Sequence, residues 1–290
     1  MTDGFWHWWQ HLPSSIDPVL FQIGGFRVQY YGLMYILAFA CTYLLVRHRL
    51  RHETRFDLGL EQVQDLLTVM IIGVIVGGRL GYVLFYNLAY YLRHPLEIFL
   101  PFRWEGGFVF TGIAGMSFHG GLIGVLFGAW LYVRRNRLDY RDVADLFAPA
   151  VPLGYTFGRM GNFINGELFG RTTDWPIGMH FPAAPDTALR HPSQLYEAFF
   201  EGLVLFALLW VLRRRNMPRG AMLALYLVGY GTVRFFIEYF REPDAQLGFV
   251  LWRFSMGQIL CLLMVGAGVG LYRHYRRLDP LRDRIKRRRP

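Results

Sequence analysis

The chain has 290 residues, of which 53% are hydrophobic and 18% charged, and its formal net charge is +10. The charged fraction lies below the roughly 25% that soluble domains carry, and the apolar residues come in long blocks, so a disordered, fibrous or single soluble globular protein is excluded. Both cysteines, Cys41 and Cys261, lie inside such blocks, which excludes a disulfide scaffold and a Cys-based metal site. We therefore predict a membrane protein that uses no metal and no cofactor.

The first segment, before any span, is rich in aromatic residues. It contains Phe5, Trp6, Trp8 and Trp9 and carries no Lys or Arg before Arg27. It therefore lacks the charged start of a cleaved signal peptide. Aromatic residues of this kind favour the membrane–water interface, and we predict an amphipathic segment at the outer surface.

Seven stretches follow that are long enough to cross the ~30 Å hydrocarbon core, which takes ~20 mostly apolar residues. They are much longer than buried strands and lack the alternation of barrel strands, so we predict helices. The expected fold class is an all-α membrane protein: one polytopic domain over residues 1–290, with small periplasmic arm or head loops and a basic cytoplasmic tail at 273–290. The predicted spans are about 28–46, 66–84, 116–133, 143–163, 195–212, 221–239 and 254–272.

The orientation follows from the basic residues of alternate loops. One set of loops carries 21 Lys and Arg residues and the other set carries seven. Because positive loops stay in the cytoplasm, we predict an outside N-terminus and an inside C-terminus. The tail has nine basic and two acidic residues, and we interpret it as a topology signal that contacts anionic membrane lipids, with no nucleic acid as partner.

Ionisable groups inside a bilayer are expensive and usually functional. Depth along each span, at about 1.5 Å per residue, places the polar groups of six helices within ~15 Å of the outer surface. An ion or proton pathway would distribute them through the full thickness, so we predict a site open to the outer leaflet. The layer contains Tyr31, Arg79, His119, Arg159, Asn162, Asn165, Glu167, Glu197, Glu201, Tyr230, Arg234 and Glu238.

Helical spacing groups these residues further. Tyr230, Arg234 and Glu238 repeat every four residues and share a helix face, and Arg159 lies three residues before Asn162. A guanidinium fork suits a pair of phosphate oxygens, so the natural anion at this depth is a phospholipid headgroup.

Structural alternatives remain for these residues. Arg159 and Arg234 could form Arg–Glu pairs that only hold helices together. Arg79 could extend to the interface or pair with Glu197 or Glu201. His119 could make a helix-start hydrogen bond, the tyrosines could be interfacial belt residues, and the paired glycines indicate close helix packing.

One segment resembles a known family. Residues Gly158 to Gly170 read G-R-M-G-N-F-I-N-G-E-L-F-G and match the signature G-R-x-G-N-F-x-N-x-E-x-x-G of bacterial prolipoprotein diacylglyceryl transferases. The chain departs from the family pattern after Trp104-Glu105-Gly106-Gly107, where residues 108–115 form an apparent insertion. Further segments are similar to the family: Y-G-L-M-Y at 31–35, G-G-R-L-G-Y at 77–82, S-F-H-G-G at 117–121, R-H-P-S-Q-L-Y-E at 190–197 and R-E-P-D at 241–244.

The resemblance implies a reaction at a bacterial inner membrane. Phosphatidylglycerol donates its diacylglyceryl group to the lipobox cysteine of a prolipoprotein signal peptide, a thioether forms and glycerol phosphate leaves. The rivals are a transporter and a phospholipid-binding protein without activity. We expect His119, Arg234 and Tyr31 in catalytic roles, with His119 as the base that takes the thiol proton. Arg234 acting with His119, or the substrate phosphate, is an alternative acceptor. The resemblance and the chemistry together assign headgroup binding to Arg159, Asn162, Arg234, Gly120, Gly170 and Tyr230, and supporting roles to Glu167, Glu238, Asn165 and Arg79.

Overall fold

The structure is a computed structural model that describes residues 2–23, 26–100, 102–104, 108–110, 115–242, 249–251 and 254–286. Several sequence expectations concern residues outside these ranges: Glu105–Gly107, residues 111–114 of the insertion, Pro243, Asp244 and the end of the tail, 287–290. The chain divides into two compact units. The first unit contains residues 1–49 and 144–290, and the second contains residues 50–143.

Most of the described residues are helical. A π-helical segment, Glu197–Val204, joins the helices Ser193–Tyr196 and Leu205–Leu212 without interruption. The helices in chain order are α1 (Thr2–Ser15), α2 (Tyr30–His52), α3 (Leu60–Tyr86), α4 (Leu88–Arg93), α5 (Phe118–Arg135), α6 (Tyr140–Phe147), α7 (Val151–Ile164), α8 (Ser193–Tyr196), α9 (Leu205–Leu212), α10 (Ala221–Ile237) and α11 (Met256–Lys286).

Four described helical stretches are long and apolar enough to cross a membrane: Tyr30–His52, Leu60–Tyr86, Ser193–Leu212 and Met256–Leu278. Ala221–Ile237 is apolar but shorter. Three of these stretches, Tyr30–His52, Leu60–Tyr86 and Met256–Leu278, extend at one end beyond the predicted apolar stretch into charged sequence. The coarse prediction of a mostly helical membrane protein therefore holds.

The stretch 143–163, predicted as one continuous span, is two helices. α6 ends at Phe147 and α7 begins at Val151, with a turn between them. Pro152 lies in the first turn of α7, where its fixed φ suits a helix start and its missing N–H is not needed. The continuous helix predicted here is corrected to a helix–turn–helix.

Within the described ranges, three short antiparallel hairpins correct the all-helical prediction. β1 (Val19–Ile23) pairs with β2 (Phe26–Gln29), and β5 (Phe249–Leu251) pairs with β6 (Phe254–Ser255). β3 (Phe102–Trp104) pairs with β4 (Phe108–Phe110), so the insertion begins as the second strand of a hairpin. β3 to β6 have only two or three residues, fewer than alternation needs to be readable from a sequence, and β1 reads V-L-F-Q-I, which does not alternate.

Close helix contacts in the first unit bring α7 against the π-helical segment. The Thr156 hydroxyl donates to the Ala198 carbonyl at 3.2 Å. A side chain at Gly202 would collide with Thr156, so the absence of a Cβ there permits the approach. α10 packs on α11 in the same manner, because a Cβ at Gly231 would lie 3.0 Å from the Cys261 carbonyl oxygen. The polar faces of α7, the π-helical segment and α10 are thereby held together.

A polar contact fixes the N-terminal end of α10. The Asp145 carboxylate accepts from the backbone N–H groups of Gly220 and Met222, both at 2.8 Å. The fully buried Arg49 donates to the carbonyls of Asp145 and Leu146, both at 2.6 Å. The carboxylate satisfies helix N–H groups and the guanidinium satisfies carbonyls at the end of α6.

The segment between α7 and α8 folds over an apolar cluster. Phe163, Met179 and Phe181 are buried, and Trp9, Leu12 and Ile16 from and after α1 pack against them. The Trp9 indole donates to the Ile177 carbonyl at 2.9 Å, and His180 N donates to the Gln10 carbonyl at 2.8 Å. α1 is thus attached to this segment through Trp9, Gln10 and Leu12, while Phe5 and Trp8 of the same helix stay exposed.

The second unit is built on a glycine contact between α3 and α5. A Cβ at Gly77 would collide with the Gly120 carbonyl oxygen, and one at Gly120 would collide with the Gly77 carbonyl. Gly73 and Gly124 are opposed in the same way one turn further along. Small residues four apart let two helix backbones touch, as the paired glycines in the sequence indicate.

Candidate active site

Two acidic side chains lie at the centre of the first unit. Glu197 and Glu201 are both fully buried and lie one turn apart on the π-helical segment. Buried carboxylates lose their hydration and must be compensated by cations or hydrogen-bond donors. The structure supplies both from α7 and α10.

Arg159 approaches Glu197 from α7. Its Nε is 2.7 Å from Glu197 Oε2 and also donates to the Tyr155 hydroxyl at 2.7 Å. A second donor, Nη1, reaches Asn162 Oδ1 at 3.2 Å. The guanidinium is therefore held by side chains both before and after it on α7.

Arg234 approaches the same carboxylate from α10. Its Nη1 is 3.1 Å from Glu197 Oε2 and 3.5 Å from Glu201 Oε1, and its Nη2 is 3.3 Å from Glu238 Oε2. Two guanidinium groups from different helices thus converge on one oxygen, Glu197 Oε2. The spacing of Arg234 and Glu238 on one helix face, read from the sequence, gives a real contact.

Exposure differs between the two signs of charge. The arginine side chains of the cluster keep 14% of their surface accessible, whereas Glu197 and Glu201 keep 0%. An incoming anion can therefore meet an arginine edge without meeting Glu197 or Glu201. A site of this kind is suited to phosphate oxygens, because guanidinium donors in a dry environment bind them strongly.

Asn162 links the cluster to the loop that follows α7. Its amide donates to Glu167 Oε1 at 2.8 Å, and the Gln194 amide donates to the Glu167 carbonyl at 2.6 Å. Asn165 caps the end of α7, and its Oδ1 is buried with no hydrogen-bond partner among the described residues. The supporting roles expected of Glu167 and Asn165 remain predictions, and these contacts give them a structural basis.

Two predicted tyrosines border the cluster. Tyr31 packs against Gly161, where a Cβ would lie 2.9 Å from its ring, and its hydroxyl is 3.2 Å from that of Tyr35. The Tyr230 ring meets the Tyr155 ring edge-on at 5.8 Å. Tyr31 therefore lies beside α7, and Tyr230 lies beside the hydroxyl that contacts Arg159.

Gly170 occupies a backbone contact. Its N–H donates to the His191 carbonyl at 2.8 Å, and a Cβ there would collide with the Phe240 carbonyl. It forms a bridge with Arg241, whose Nη1 is 3.8 Å from Glu197 Oε1. The headgroup contact predicted for Gly170 stays a prediction. In the structure, Gly170 allows the close approach of two loops.

The same loop carries an ion pair at its rim. Arg190 lies 2.9 Å from the carboxylates of Asp186 and Glu242. Its hydrogen bond lowers the pKa of the Asp186 carboxyl below the ordinary value. This pairing joins the loop to the segment after α10.

Three predicted residues belong to the second unit. Arg79 is buried and donates to the carbonyls of Ile98 and Glu97, both at 2.6 Å, so it supports the loop after α4. His119 is exposed in the first turn of α5, where the Ser117 hydroxyl, and not the histidine, caps the helix through Gly120 N. Gly120 is buried in the contact with α3.

Sequence reasoning did not assign roles to Tyr155, Gln194 or Arg241. Tyr155 lies four residues before Arg159, a spacing that predicts contact on a helix, but a tyrosine in an apolar span resembles core. Gln194 and Arg241 lie in segments that match the family, outside the residues considered for the site.

The apolar helices and the buried arginine cluster are typical of a helical membrane protein whose polar centre can receive an anion. The family described as prolipoprotein diacylglyceryl transferase matches residues 18–273. The chain belongs to this family, as the motif at 158–170 predicts, and it is a transferase.

Individual relatives agree with this assignment. The phosphatidylglycerol–prolipoprotein diacylglyceryl transferase of Chlorobaculum tepidum is 56% identical over 268 residues, which covers 92% of each chain. The proteins of the same name from Bordetella parapertussis and Geobacter sulfurreducens are each 49% identical, over 89% and 88% of this chain and 95% and 93% of their own.

Proposed function

We propose that the chain transfers the diacylglyceryl group of phosphatidylglycerol to the lipobox cysteine thiol of a prolipoprotein signal peptide. The observation that carries the proposal is the convergence of Arg159 and Arg234 on Glu197 Oε2, at 2.7 and 3.1 Å, in a member of this family. The diacylglyceryl transfer and its place in lipoprotein maturation follow from the family. The lipobox thiol as acceptor and the role of each residue are our proposals.

The reaction exchanges one bond for another. A carbon–sulfur bond forms between the thiol sulfur and the glyceryl carbon, and the bond from that carbon to the phosphate oxygen breaks. Glycerol phosphate leaves with the bonding electron pair and gains negative charge, while the thiol proton passes to an acceptor. In this scheme the nucleophile comes from the substrate, which is consistent with Cys41 being partly buried and Cys261 being buried.

The arginines stabilise the departing phosphate. Donors fixed in a site of low dielectric constant act on the charge that develops in the transition state, because they do not reorganise as the reaction proceeds. Asn162 acts through Arg159 in this scheme, since both ends of its amide are engaged, one by Arg159 and one by Glu167. Glu238 likewise acts indirectly, by holding the Arg234 guanidinium in position.

The proton acceptor in our proposal is His119, because a neutral imidazole accepts a proton near neutral pH and a thiolate is a far better nucleophile than a thiol. The alternative proton acceptors are Arg234 acting with His119 and the phosphate of the substrate. Tyr31 has the role of orienting the headgroup or sharing the proton transfer.

The membrane arrangement is also part of the proposal. We infer seven spans in one integral membrane domain of the bacterial inner membrane, an outside N-terminus, an inside C-terminus and a site close to the outer leaflet. The supports are the 21 to seven distribution of basic residues between alternate loops and the depth of the polar layer.

A reconstituted assay tests the function. Purified protein in detergent is mixed with phosphatidylglycerol and a lipobox peptide, and thioether formation is followed by mass spectrometry together with release of glycerol phosphate. The matched controls are a peptide with serine in place of its cysteine and phosphatidylethanolamine in place of phosphatidylglycerol. We expect equal amounts of both products with the complete mixture and neither product with the serine peptide.

The rival functions give different results. A phospholipid-binding protein without activity binds phosphatidylglycerol but releases no glycerol phosphate. A transporter moves labelled lipid across a vesicle membrane without thioether formation. Either pattern with folded protein would overturn the proposal.

A further inference from the structure

Tyr155 is the most heavily engaged neutral group of the charged cluster. Its hydroxyl lies 2.6 Å from Glu201 Oε2, 3.0 Å from Glu197 Oε2 and 2.7 Å from Arg159 Nε. The Arg159 guanidinium also lies 4.8 Å from the centre of the Tyr155 ring. One side chain therefore touches both buried carboxylates and the arginine between α7 and the π-helical segment.

The hydroxyl has a single hydrogen to donate. Glu201 Oε2 at 2.6 Å is the closer of its two carboxylate neighbours and falls in the range of a charge-assisted O–H···O⁻ bond. The hydrogen is therefore directed to Glu201. For Glu201 this bond is shorter than its 3.5 Å contact with Arg234.

The hydroxyl oxygen also accepts. Arg159 Nε directs its one hydrogen to the Tyr155 oxygen at 2.7 Å, and Glu197 Oε2 lies at the same distance from this nitrogen as an ion-pair partner. The hydroxyl therefore takes the N–H that Glu197 would otherwise accept. It also orients the fork, because Nε–H fixes the plane in which the other four donors lie.

We propose that Tyr155 is a positioning residue of the transfer reaction, whose hydroxyl orients the Arg159 guanidinium and satisfies Glu201 so that both arginines keep donors for the substrate phosphate. This proposal rests on the proposed function and deepens it at the same site.

The consequence of removing the hydroxyl can be stated for each partner. Arg159 Nε would turn wholly to Glu197, which withdraws the fork from the phosphate. Glu201 would lose its shortest partner and draw Arg234 closer, since a buried carboxylate needs compensation. Both changes remove hydrogen-bond donors from the departing phosphate. Because the extra negative charge on this phosphate appears only in the transition state, we expect kcat to fall more than KM rises.

The experiment uses full-length protein with phosphatidylglycerol and the lipobox peptide. We expect Tyr155→Phe to lower kcat by about 10- to 100-fold, the size of one charge-assisted hydrogen bond, with KM for either substrate changed less than about threefold. Tyr132→Phe is the matched control, because it also removes a tyrosine hydroxyl that donates to a carboxylate, Asp65 Oδ2 at 3.4 Å. It should keep kcat within about twofold of the wild type.

A double-mutant cycle separates positioning from general support. Glu201→Gln removes the charge that Tyr155 satisfies but leaves the bond from Arg159, so Tyr155→Phe should cost at least about threefold less in that background than in the wild type. Additive losses, or wild-type kcat in Tyr155→Phe, would overturn the proposal. If Tyr155→Phe alone does not fold, equal kcat in Glu201→Gln and in the double variant would overturn it, because the double variant has also lost the bond from Arg159. An inactive wild type would instead defeat the proposed function, and this proposal with it.

Discussion

The glycine contact of the second unit and the charged cluster of the first unit hold helices together by opposite means. α3 and α5 touch where side chains are missing, at Gly77 and Gly120, whereas α7, the π-helical segment and α10 meet through Arg159, Glu197 and Arg234. Helices in an apolar solvent lack the hydrophobic drive that assembles soluble proteins, so both close packing and polar pairing are available. The packed contact is sensitive to volume and the charged contact to chemistry.

The first prediction breaks the packed contact. Gly77→Leu places a side chain where a single Cβ already collides with the Gly120 carbonyl, and a backbone atom cannot rotate away. We expect the yield of folded protein, measured by gel filtration in detergent, to fall below about a tenth of the wild type. Gly266→Leu is the control, since a Cβ at Gly266 meets nothing within 4 Å. Equal yields for the two variants would contradict the glycine contact.

The second prediction breaks the charged contact without changing the fold. Arg159→Ala should lower turnover by at least about 10³-fold, because the departing phosphate loses its fork, while thermal unfolding remains cooperative. The measurement is glycerol phosphate release by protein that passes the same gel filtration test. Near-normal release would show that Arg159 is only a structural partner of Glu197.

The third prediction sharpens the distinction between charge and geometry. Arg159→Lys keeps the positive charge beside Glu197 but loses the planar fork that reaches Tyr155 and Asn162. We expect turnover to fall by about 10²-fold. Full activity in this variant would mean that charge alone suffices at this position.

The fourth prediction concerns the proton acceptor and has the smallest expected effect. If His119 takes the thiol proton, His119→Gln should lose about 10-fold at low pH, where thiolate is scarce, and much less at high pH, where the thiol ionises without help. The slope of rate against pH is the measurement. A profile parallel to that of the wild type would remove His119 from this role.

The sequence carries enough information for the family and the helices. The motif from Gly158 to Gly170 predicts the family, and the family match confirms it. The convergence of Arg159 and Arg234 on Glu197 shows that residues of the predicted polar layer meet across two helices, while the depth of that layer in a membrane stays a prediction.

The helix break after Phe147 shows what a hydropathy average conceals. All five residues from Ala148 to Pro152 are apolar. Hydropathy averaged over a window of about 20 residues therefore does not detect the helix break at this point. Pro149 and Pro152 are the available signal, since proline cannot continue a helix and favours the first turn of a new one.

Tyr155 shows a second limit. Its spacing to Arg159 was readable, but its contact with Glu201 depends on how α7 is rotated against the π-helical segment. That rotation is set by Gly202 and Thr156, two small residues whose meeting no local pattern predicts.

The π-helical segment Glu197–Val204 has a consequence for chain length. Its hydrogen bonds reach one residue further than those of an α-helix, so it is equivalent to an α-helix with a residue inserted. Deleting one residue after Glu201 would restore regular winding and leave α9 facing as it does, whereas the same deletion in a regular α-helix would turn the rest of that helix by about 100°. The single extra residue therefore lets the chain adjust the direction of Glu197 and Glu201, the carboxylates that anchor both arginines, while the orientation of α9 is kept.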